Sequence, residues 1–229
     1  MVTATGSRRL GTHHIGGTLW VMGCLAASYL AMSYDFKPGR LGPRRTGWPT
    51  ETDYSYSTAL IRSPGKTTVL AFLHPRCVCT RATVTQLVRT VEAHPGAELI
   101  VPVFTPLQLK DATAWEESAY VKTIRAAVPG AKVVFDRGGV QAWRFGAYTS
   151  GTVLVYDAQG REIFRGGITD RRGGEGDNRG VRQLGQILTR GAEAAQGEPT
   201  PVFGCPLMAS NTVQEGGTDG GTAGNSTTR

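Results

Sequence analysis

Two cysteines separated by one residue are the feature of this 229-residue sequence best suited to chemistry. Cys77 and Cys79 follow an apolar run of strand length, residues 67–73, and open a segment with helical periodicity, residues 80–93. A cysteine at a helix start meets unpaired backbone N–H groups and the positive end of the helix dipole. Both favour the thiolate, the nucleophilic form of cysteine. Cys77 comes first and is expected to be better exposed, so it is the predicted attacking thiol and Cys79 the predicted resolving thiol.

The short spacing of this pair indicates a reactive disulfide rather than a structural one. Residues two apart in a turn can have Cα atoms about 5.5 Å apart, which a disulfide can bridge. The resulting ring is strained and therefore more easily reduced than an ordinary structural disulfide. Because closing so short a loop constrains the unfolded chain little, the bond would add little stability.

Three further residues could act together with the pair. Arg76 places a positive charge next to Cys77, and His74 stands where it could tune the thiolate or bind a metal. Cys205 lies in the apolar segment 201–207, which is expected to pack back on the domain to bury its apolar side chains. If it packs near the helix start, Cys205 becomes a third redox partner or a third sulfur ligand. Otherwise Cys205 is a packing residue.

The same residues are open to two other interpretations. Cys77, Cys79 and Cys205 with His74 could form a soft site suited to Cu(I), although their spacing is not that of a zinc finger. Free cysteines are also often buried without any chemistry, which would make the chain an inert scaffold that acts as a binding module. No cofactor is predicted.

A glycine-rich, charged loop at residues 166–180 carries no recognisable phosphate-binding motif. It lacks the Lys-Ser/Thr ending of a phosphate cradle and any fixed glycine fingerprint. We expect a mobile surface loop, with Arg171 and Arg172 as a possible rim near the cysteines that meets an acidic partner. The sequence also lacks a G-x-S-x-G motif.

Composition excludes several classes of protein. Hydrophobic residues make up 40% and charged residues 19%, which is enough for a core and excludes wholesale disorder. The net charge is +7, but the arginines are scattered rather than gathered in a basic stripe with aromatic residues, so no nucleic-acid partner is predicted. Four cysteines are too few for a small disulfide-stapled scaffold.

The N-terminal region contains a run without charge, residues 15–34, of the length that crosses a bilayer as a helix. It predicts a single membrane anchor. A signal peptide cleaved near residues 31–33 is the alternative. Basic residues on both sides lean toward a cytoplasmic C-terminal part by the positive-inside rule: Arg8 and Arg9 before the run, and Lys37, Arg40, Arg44 and Arg45 after it.

The composition divides the chain into five parts. An N-terminal stub, residues 1–14, precedes the anchor at residues 15–34. A linker rich in Gly, Pro and Arg follows at residues 35–57, a folded domain at residues 58–208, and a disordered tail at residues 209–229.

Periodicity within the domain predicts an α/β fold with a mixed sheet. Strands are expected at residues 67–73, 98–104, 131–135, 152–156 and 162–165, and helices at residues 80–93, 112–128, 140–145 and 178–190, the last capped by Asp177. The early alternation of strand and helix implies parallel strands with right-handed crossovers. The turn at residues 157–160 implies an antiparallel hairpin. With helices on both faces of the sheet, this is the element order of a thioredoxin-like fold.

Three segments resemble one group within the thioredoxin-like superfamily. HPRCVCTRAT (74–83), LVYDAQGREIFRGGIT (154–169) and TPVFGCPL (200–207) are similar to the membrane-anchored RedB-like proteins. The resemblance implies a thiol–disulfide oxidoreductase that acts on protein thiols and disulfides, tethered to the membrane with its domain on the extracytoplasmic side. The cytoplasmic side would then hold the N-terminal stub.

The chain departs from the thioredoxin pattern in three places. One residue instead of two separates the cysteines, and Arg76 stands where a tryptophan is usual. Gly151, next to Ser150, takes the place of the cis-proline that faces the cysteine pair, shapes substrate docking and shields the thiols from metals. The absence of that proline keeps the metal-binding interpretation open.

Overall fold

A computed structural model describes residues 11–45, 47–49, 60–109, 111–195 and 197–208 of the chain. The strands are β1 (Thr68–Phe72), β2 (Glu98–Thr105), β3 (Lys132–Arg137), β4 (Thr152–Tyr156) and β5 (Glu162–Gly166). The helices are α1 (Gly11–Asp35), α2 (Thr80–Glu92), α3 (Thr113–Glu116), α4 (Ala119–Ala127), α5 (Val140–Arg144) and α6 (Arg179–Arg190), followed by a 3-10 turn at Gly191–Ala194.

The five strands form one mixed sheet in the order β3-β2-β1-β4-β5. β1 and β3 run parallel to β2, whereas β4 runs antiparallel to both β1 and β5. Val69 of β1 lies opposite Leu99 on one side and Val155 on the other, so β1 is the central strand. The arrangement β2-β1-β4-β5, extended by β3 at one edge, is a thioredoxin-like fold and confirms the predicted fold class.

The apolar run at β1 is continuous because both of its faces are covered. All five of its residues are buried, as expected for a central strand. Val69, Ala71 and Leu73 belong to the core cluster that includes residues of α2, α4 and α6. Leu70 and Phe72 point the other way, since side chains alternate along a strand, and pack in a second cluster with Phe145, Tyr156 and Leu207.

Two predicted helix features differ in the structure. The helix expected at residues 112–128 is two helices, because the backbone of Ser118 is extended and its hydroxyl caps α4 by accepting from the Val121 N–H. The prediction that Asp177 caps α6 is wrong. Asn178 has the extended backbone of a cap and its side chain accepts from the Val181 N–H at 3.1 Å, while Asp177 pairs with Arg182.

The N-terminal helix α1 is longer than the predicted anchor. Within it, Ile15–Asp35 covers 21 residues with a mean hydropathy of 1.5 and no burial against the domain. This stretch is long and apolar enough to cross a membrane. The rest of the predicted stub, residues 1–10, and the predicted tail, residues 209–229, lie outside the described residues.

The predicted linker begins with Asp35, the last residue of α1, and its other described residues lie along the domain without forming a helix or strand. The Gly39 N–H donates to the Val202 carbonyl at 2.7 Å, and the Gly42 N–H donates to the Gly146 carbonyl at 2.8 Å. The Trp48 indole packs edge-on against Phe145 and Tyr156, at centroid distances of 5.0 and 4.9 Å. Residues 46 and 50–59 lie outside the described part of the chain.

Candidate functional site

Three cysteines meet at the end of β1, where the chain enters α2. We call Cys77, Cys79 and Cys205 the thiol cluster. The Cys205 thiol donates a hydrogen bond to the sulfur of Cys77, with 2.9 Å between the two Sγ atoms, although the residues lie 128 positions apart in the chain. All three are free thiols, as is Cys24, which lies apart from them on α1.

A tight turn between β1 and α2 holds Cys77. The His74 carbonyl accepts hydrogen bonds from the Cys77 N–H at 3.1 Å and from the Thr80 hydroxyl at 2.9 Å. The Cys77 carbonyl in turn accepts from the Thr80 N–H at 2.9 Å. Cys79 is the residue immediately before α2. The two cysteines therefore lie at the helix start, as the sequence predicts.

The expectation that Cys77 is the better exposed of the pair is wrong. Cys77 is 1% exposed and Cys79 is 6% exposed, whereas Val78 between them is 82% exposed. Cys77 is buried because the segment that carries Cys205 packs against it. Cys205 is half-buried and is the most accessible member of the thiol cluster.

Residues 200–207, here the C-terminal segment, pack against the loop that precedes β4. The Ser150 N–H donates to the Cys205 carbonyl at 2.8 Å, and the Leu207 N–H donates to the Tyr148 carbonyl at 3.0 Å. An antiparallel bridge joins Thr149 to Pro206 between these two bonds. Of the two positions that the sequence leaves open for Cys205, the structure therefore adopts the one near the helix start.

Two glycines lie where the C-terminal segment and the loop before β4 pack closely together. A Cβ at Gly204 would overlap the Ser150 carbonyl oxygen. Gly151 has φ +91°, in the left-handed region that favours glycine, and its N–H donates to the Phe72 carbonyl at 2.8 Å. Gly151 therefore joins the loop to the end of β1, beside Ser150.

Ser150 links the turn before α2 to the C-terminal segment. Its hydroxyl accepts from the His74 N–H at 2.9 Å and shares a hydrogen bond with the Thr80 hydroxyl at 3.1 Å. Together with its N–H bond to Cys205, these contacts set Cys205 opposite Cys77. The sequence signals only the position of this residue beside Gly151 and does not signal its hydrogen bonds.

The side chains of His74 and Arg76 lie against aromatic residues. The His74 ring stacks on Phe104 at a centroid distance of 5.3 Å and meets Trp115 edge-on at 5.3 Å. The Arg76 guanidinium lies 4.8 Å above the Trp115 ring. Burial, with a contribution from the Arg76 charge, lowers the pKa of His74, so the imidazole is neutral near pH 7.

Arg172 is the cation that lies beside the thiol cluster. Its Nη1 donates to the Gly204 carbonyl at 2.8 Å, and its Nε donates to the Tyr34 carbonyl at 3.1 Å. The guanidinium also lies 4.6 Å above the Tyr34 ring. Arg172 therefore connects the last turn of α1 to the C-terminal segment. The sequence places it in a glycine-rich loop and contains no signal for these contacts.

Protonation differs among the three thiols. Burial raises the pKa of Cys77, but hydrogen bonds outweigh it and lower that pKa; they come from the Cys205 thiol, the backbone N–H groups of Cys79 and Cys205, and the Cys79 thiol. Burial and the neighbouring Cys77 sulfur raise the pKa of Cys205 to about 12. The same two causes raise the pKa of Cys79, against the effect of Arg172. The cluster therefore favours one thiolate, on Cys77, that two thiols stabilise.

A copper site requires ligands arranged around one common point, which is a stricter condition than contact between thiols. Among the residues that the structure describes, no three His, Cys, Asp or Glu side chains are grouped so that they could hold a metal ion.

The chain matches no protein-family model and no curated protein. Among solved structures, it is similar to an uncharacterized conserved protein from Geobacillus kaustophilus, with a TM-score of 0.51 and 16% identity over 77% of this chain and 94% of that one. A hypothetical protein from Sinorhizobium meliloti gives a TM-score of 0.49 and 19% identity over 64% and 81%. A secreted disulfide oxidoreductase of Mycobacterium tuberculosis gives 0.39 and 16% over 55% and 82%. At this identity, the Geobacillus similarity concerns the fold alone.

Proposed function

We propose that this protein is a membrane-anchored thiol–disulfide oxidoreductase that acts on protein thiols and disulfides. The observation that carries the proposal is the 2.9 Å distance between the sulfur atoms of Cys77 and Cys205 at the start of α2. These sulfur atoms need to move by less than about 1 Å to reach the length of an S–S bond, about 2.05 Å, when an oxidising disulfide takes up their two electrons.

Cys77 is the thiolate of the proposed reaction. Hydrogen bonds to its sulfur favour the charged form, and the thiolate is both the nucleophile and the better leaving group in thiol–disulfide exchange. The raised pKa of Cys205 keeps that thiol protonated, and the thiol donates a hydrogen bond to the Cys77 sulfur. This arrangement stabilises the reduced pair, and a stabilised reduced form makes the corresponding disulfide more oxidising.

The sulfur contact favours Cys205 over Cys79 as the disulfide partner of Cys77. A Cys77–Cys79 disulfide would close a ring around a single residue, which is strained, whereas Cys205 comes from a separate segment that already meets Cys77. Cys79 in this proposal is a hydrogen-bond donor to the Cys77 thiolate and a secondary exchange partner.

The proposed anchor is α1, whose length and hydropathy suit a membrane span. Arg172 joins Tyr34, near the end of α1, to Gly204, the neighbour of Cys205. The thiol cluster would therefore lie close to the membrane surface. We place the domain on the extracytoplasmic side because disulfides persist in oxidising compartments.

A redox titration of the full-length chain in detergent micelles tests the function. The chain is equilibrated in glutathione buffers of graded potential, free thiols are alkylated, and peptide masses show which cysteines were protected. Cys77 and Cys205 should become protected together, with a midpoint between about −270 and −120 mV, the range of known oxidoreductases.

Matched variants separate the function from the choice of partner. Cys79→Ser should keep a reversible two-electron transition, and Cys205→Ser should lose the transition that protects Cys77. If Cys205→Ser titrates like the wild type, the partner is Cys79 and the function stands. If the wild-type chain shows no reversible oxidation in this range, it is not an oxidoreductase.

A further inference from the structure

The proposed thiolate is the most buried member of the thiol cluster, whereas a nucleophile that reacts directly with a substrate must be accessible. Cys77, the proposed thiolate, is 1% exposed, and Cys205 is half-buried. An external sulfur atom must come within bonding distance of the sulfur that it exchanges with. A protein substrate therefore cannot reach Cys77 while the C-terminal segment is in place.

The C-terminal segment is held in place by its own apolar side chains and backbone. Val202, Phe203 and Leu207 are buried, and burial of their apolar side chains stabilises the packed position of the segment. The backbone groups of Ser150 and Tyr148 are already bonded to this segment. A substrate that paired with the loop before β4 would have to displace all of these contacts.

On the basis of the function proposed above, we infer that substrate thiols exchange with Cys205 rather than with Cys77. The substrate class is a protein or peptide dithiol, which the oxidised pair converts to a disulfide. Cys205 carries the mixed disulfide, and Cys77 is the internal leaving group.

The exchange proceeds in two balanced steps. A substrate thiolate attacks the Cys205 sulfur of the Cys77–Cys205 disulfide, which forms a substrate–Cys205 disulfide and releases Cys77 as the thiolate. The second substrate thiolate then attacks the substrate sulfur of that mixed disulfide, which closes the substrate disulfide and releases Cys205. Two electrons pass from the substrate to the pair, Cys205 takes up one proton, and the other substrate proton goes to solvent. A disulfide such as oxidised glutathione restores the pair by the reverse exchange.

The contacts of the cluster favour this direction of cleavage. When Cys77 leaves, its sulfur can still accept hydrogen bonds from the backbone N–H groups of Cys79 and Cys205. These bonds stabilise the negative charge that forms on the sulfur. When Cys205 leaves in the second step, its thiol is protonated again and donates a hydrogen bond to the Cys77 sulfur, as in the reduced chain. A thiol of lower pKa leaves faster, which makes Cys77 the better leaving group of the pair.

A trapping experiment on the wild-type chain locates the sulfur that receives the substrate. The full-length chain in detergent micelles is oxidised with glutathione disulfide, freed of small molecules, and mixed with a peptide that contains a single cysteine. Because this peptide lacks a second thiol, it cannot close a disulfide of its own, and an excess of peptide over the chain opposes its expulsion by the freed Cys77 thiolate. Acid quenching early in the reaction, alkylation of free thiols and fragment mass spectrometry then identify the modified cysteine.

The expected result is peptide on Cys205 in at least about tenfold excess over peptide on Cys77 and Cys79 together, since exchange rates depend on access and on the leaving thiol. The same excess is expected in the Cys79→Ser chain, which cannot pass the peptide through Cys79. Peptide on Cys77 or Cys79 would overturn the inference, as would a disulfide that dithiothreitol opens but the peptide does not; in both cases the oxidoreductase function stands. A Cys77–Cys79 disulfide in place of the Cys77–Cys205 disulfide would also overturn the inference and leave the function standing. The absence of any reversible disulfide in glutathione buffers would instead overturn the proposed function.

Discussion

Two buried polar clusters lie at opposite ends of the loop between α5 and β4, and they differ in how completely their groups are paired. At the first end, Arg165 of β5 donates to both oxygens of Glu162 at 2.9 and 2.6 Å. The remaining guanidinium bonds go to the carbonyls of Phe145 and Gly146. Both side chains of this ion pair are almost fully buried, at 2% and 0% exposed.

The thiol cluster lies at the other end of the same loop, beyond Ser150. The direction of its hydrogen bonds depends on which sulfur carries the negative charge. It also contains three thiols, whereas one disulfide uses two. The ion pair has one low-energy arrangement because each guanidinium nitrogen and both carboxylate oxygens have hydrogen-bond partners. The thiol cluster has several arrangements because a proton or an electron pair can move within it. The first cluster therefore stabilises the loop, and the second is the part suited to exchange.

The largest effect that would sharpen this comparison is expected from Arg165→Met. Among the residues that the structure describes, the substitution leaves the buried Glu162 carboxylate with the exposed Arg44 as its remaining ion-pair partner. It should therefore lower the free energy of unfolding by about 3–5 kcal/mol. Denaturant unfolding of the reduced chain in micelles, followed by tryptophan fluorescence, measures it. Arg182→Met, which removes an exposed ion pair with Asp177, is the control and should cost about 1 kcal/mol or less. Equal losses in the two variants would contradict the assignment.

The next largest effect is expected on the pKa of Cys77 in the Cys205→Ala variant. Loss of the thiol donor should raise the pKa of Cys77, because the hydrogen bond from Cys205 is the largest of the contributions that lower it. Thiolate absorbance at 240 nm against pH gives the midpoint, which in the wild type should lie below the ordinary value of about 8.5. Cys24→Ala is the control. An unchanged midpoint in Cys205→Ala would mean that Cys205 does not stabilise the thiolate.

A smaller effect is expected where Arg172 holds the C-terminal segment beside the cluster. Arg172→Met removes the bond to the Gly204 carbonyl and should reduce amide hydrogen-exchange protection in residues 200–207 by about 1.5 kcal/mol. It should also raise the pKa of Cys79 and Cys205, since the cation lowers both. Arg171→Met, which removes only an exposed contact with Asp170, should leave protection within about 0.5 kcal/mol of the wild type. The same loss of protection in both variants would show that Arg172 has no special role.

The smallest effect tests whether stability and exchange are separable. α6 packs against β5, the strand that carries the ion pair, and Asn178 caps it. Asn178→Ala should lower the free energy of unfolding by about 1 kcal/mol, and Asp177→Ala by about 0.5 kcal/mol or less. Neither should shift the redox midpoint of the thiols. A midpoint that moves in Asn178→Ala alone would show that the two clusters are coupled.

Local pattern was sufficient for most of the fold. The apolar run at β1 predicts a strand buried on both faces, and the turn residues after β4 predict the hairpin, because these signals depend on neighbours in the chain. The boundaries that failed, at Ser118 and at Asp177, depend on which of two adjacent residues has an extended backbone. Composition does not distinguish between such neighbours.

The sequence by itself determined the sheet, the apolar N-terminal helix and the position of Cys77 and Cys79 at a helix start. Only the tertiary structure decided that Cys205 meets Cys77, that Cys77 is the most buried of the three, and that Arg172 supplies the nearby cation. The reason is the range of the interactions. Periodicity and caps arise from residues within one helical turn or one strand, whereas the Cys77–Cys205 contact joins positions 128 apart. That contact exists because the apolar side chains of the C-terminal segment bury themselves against the loop before β4.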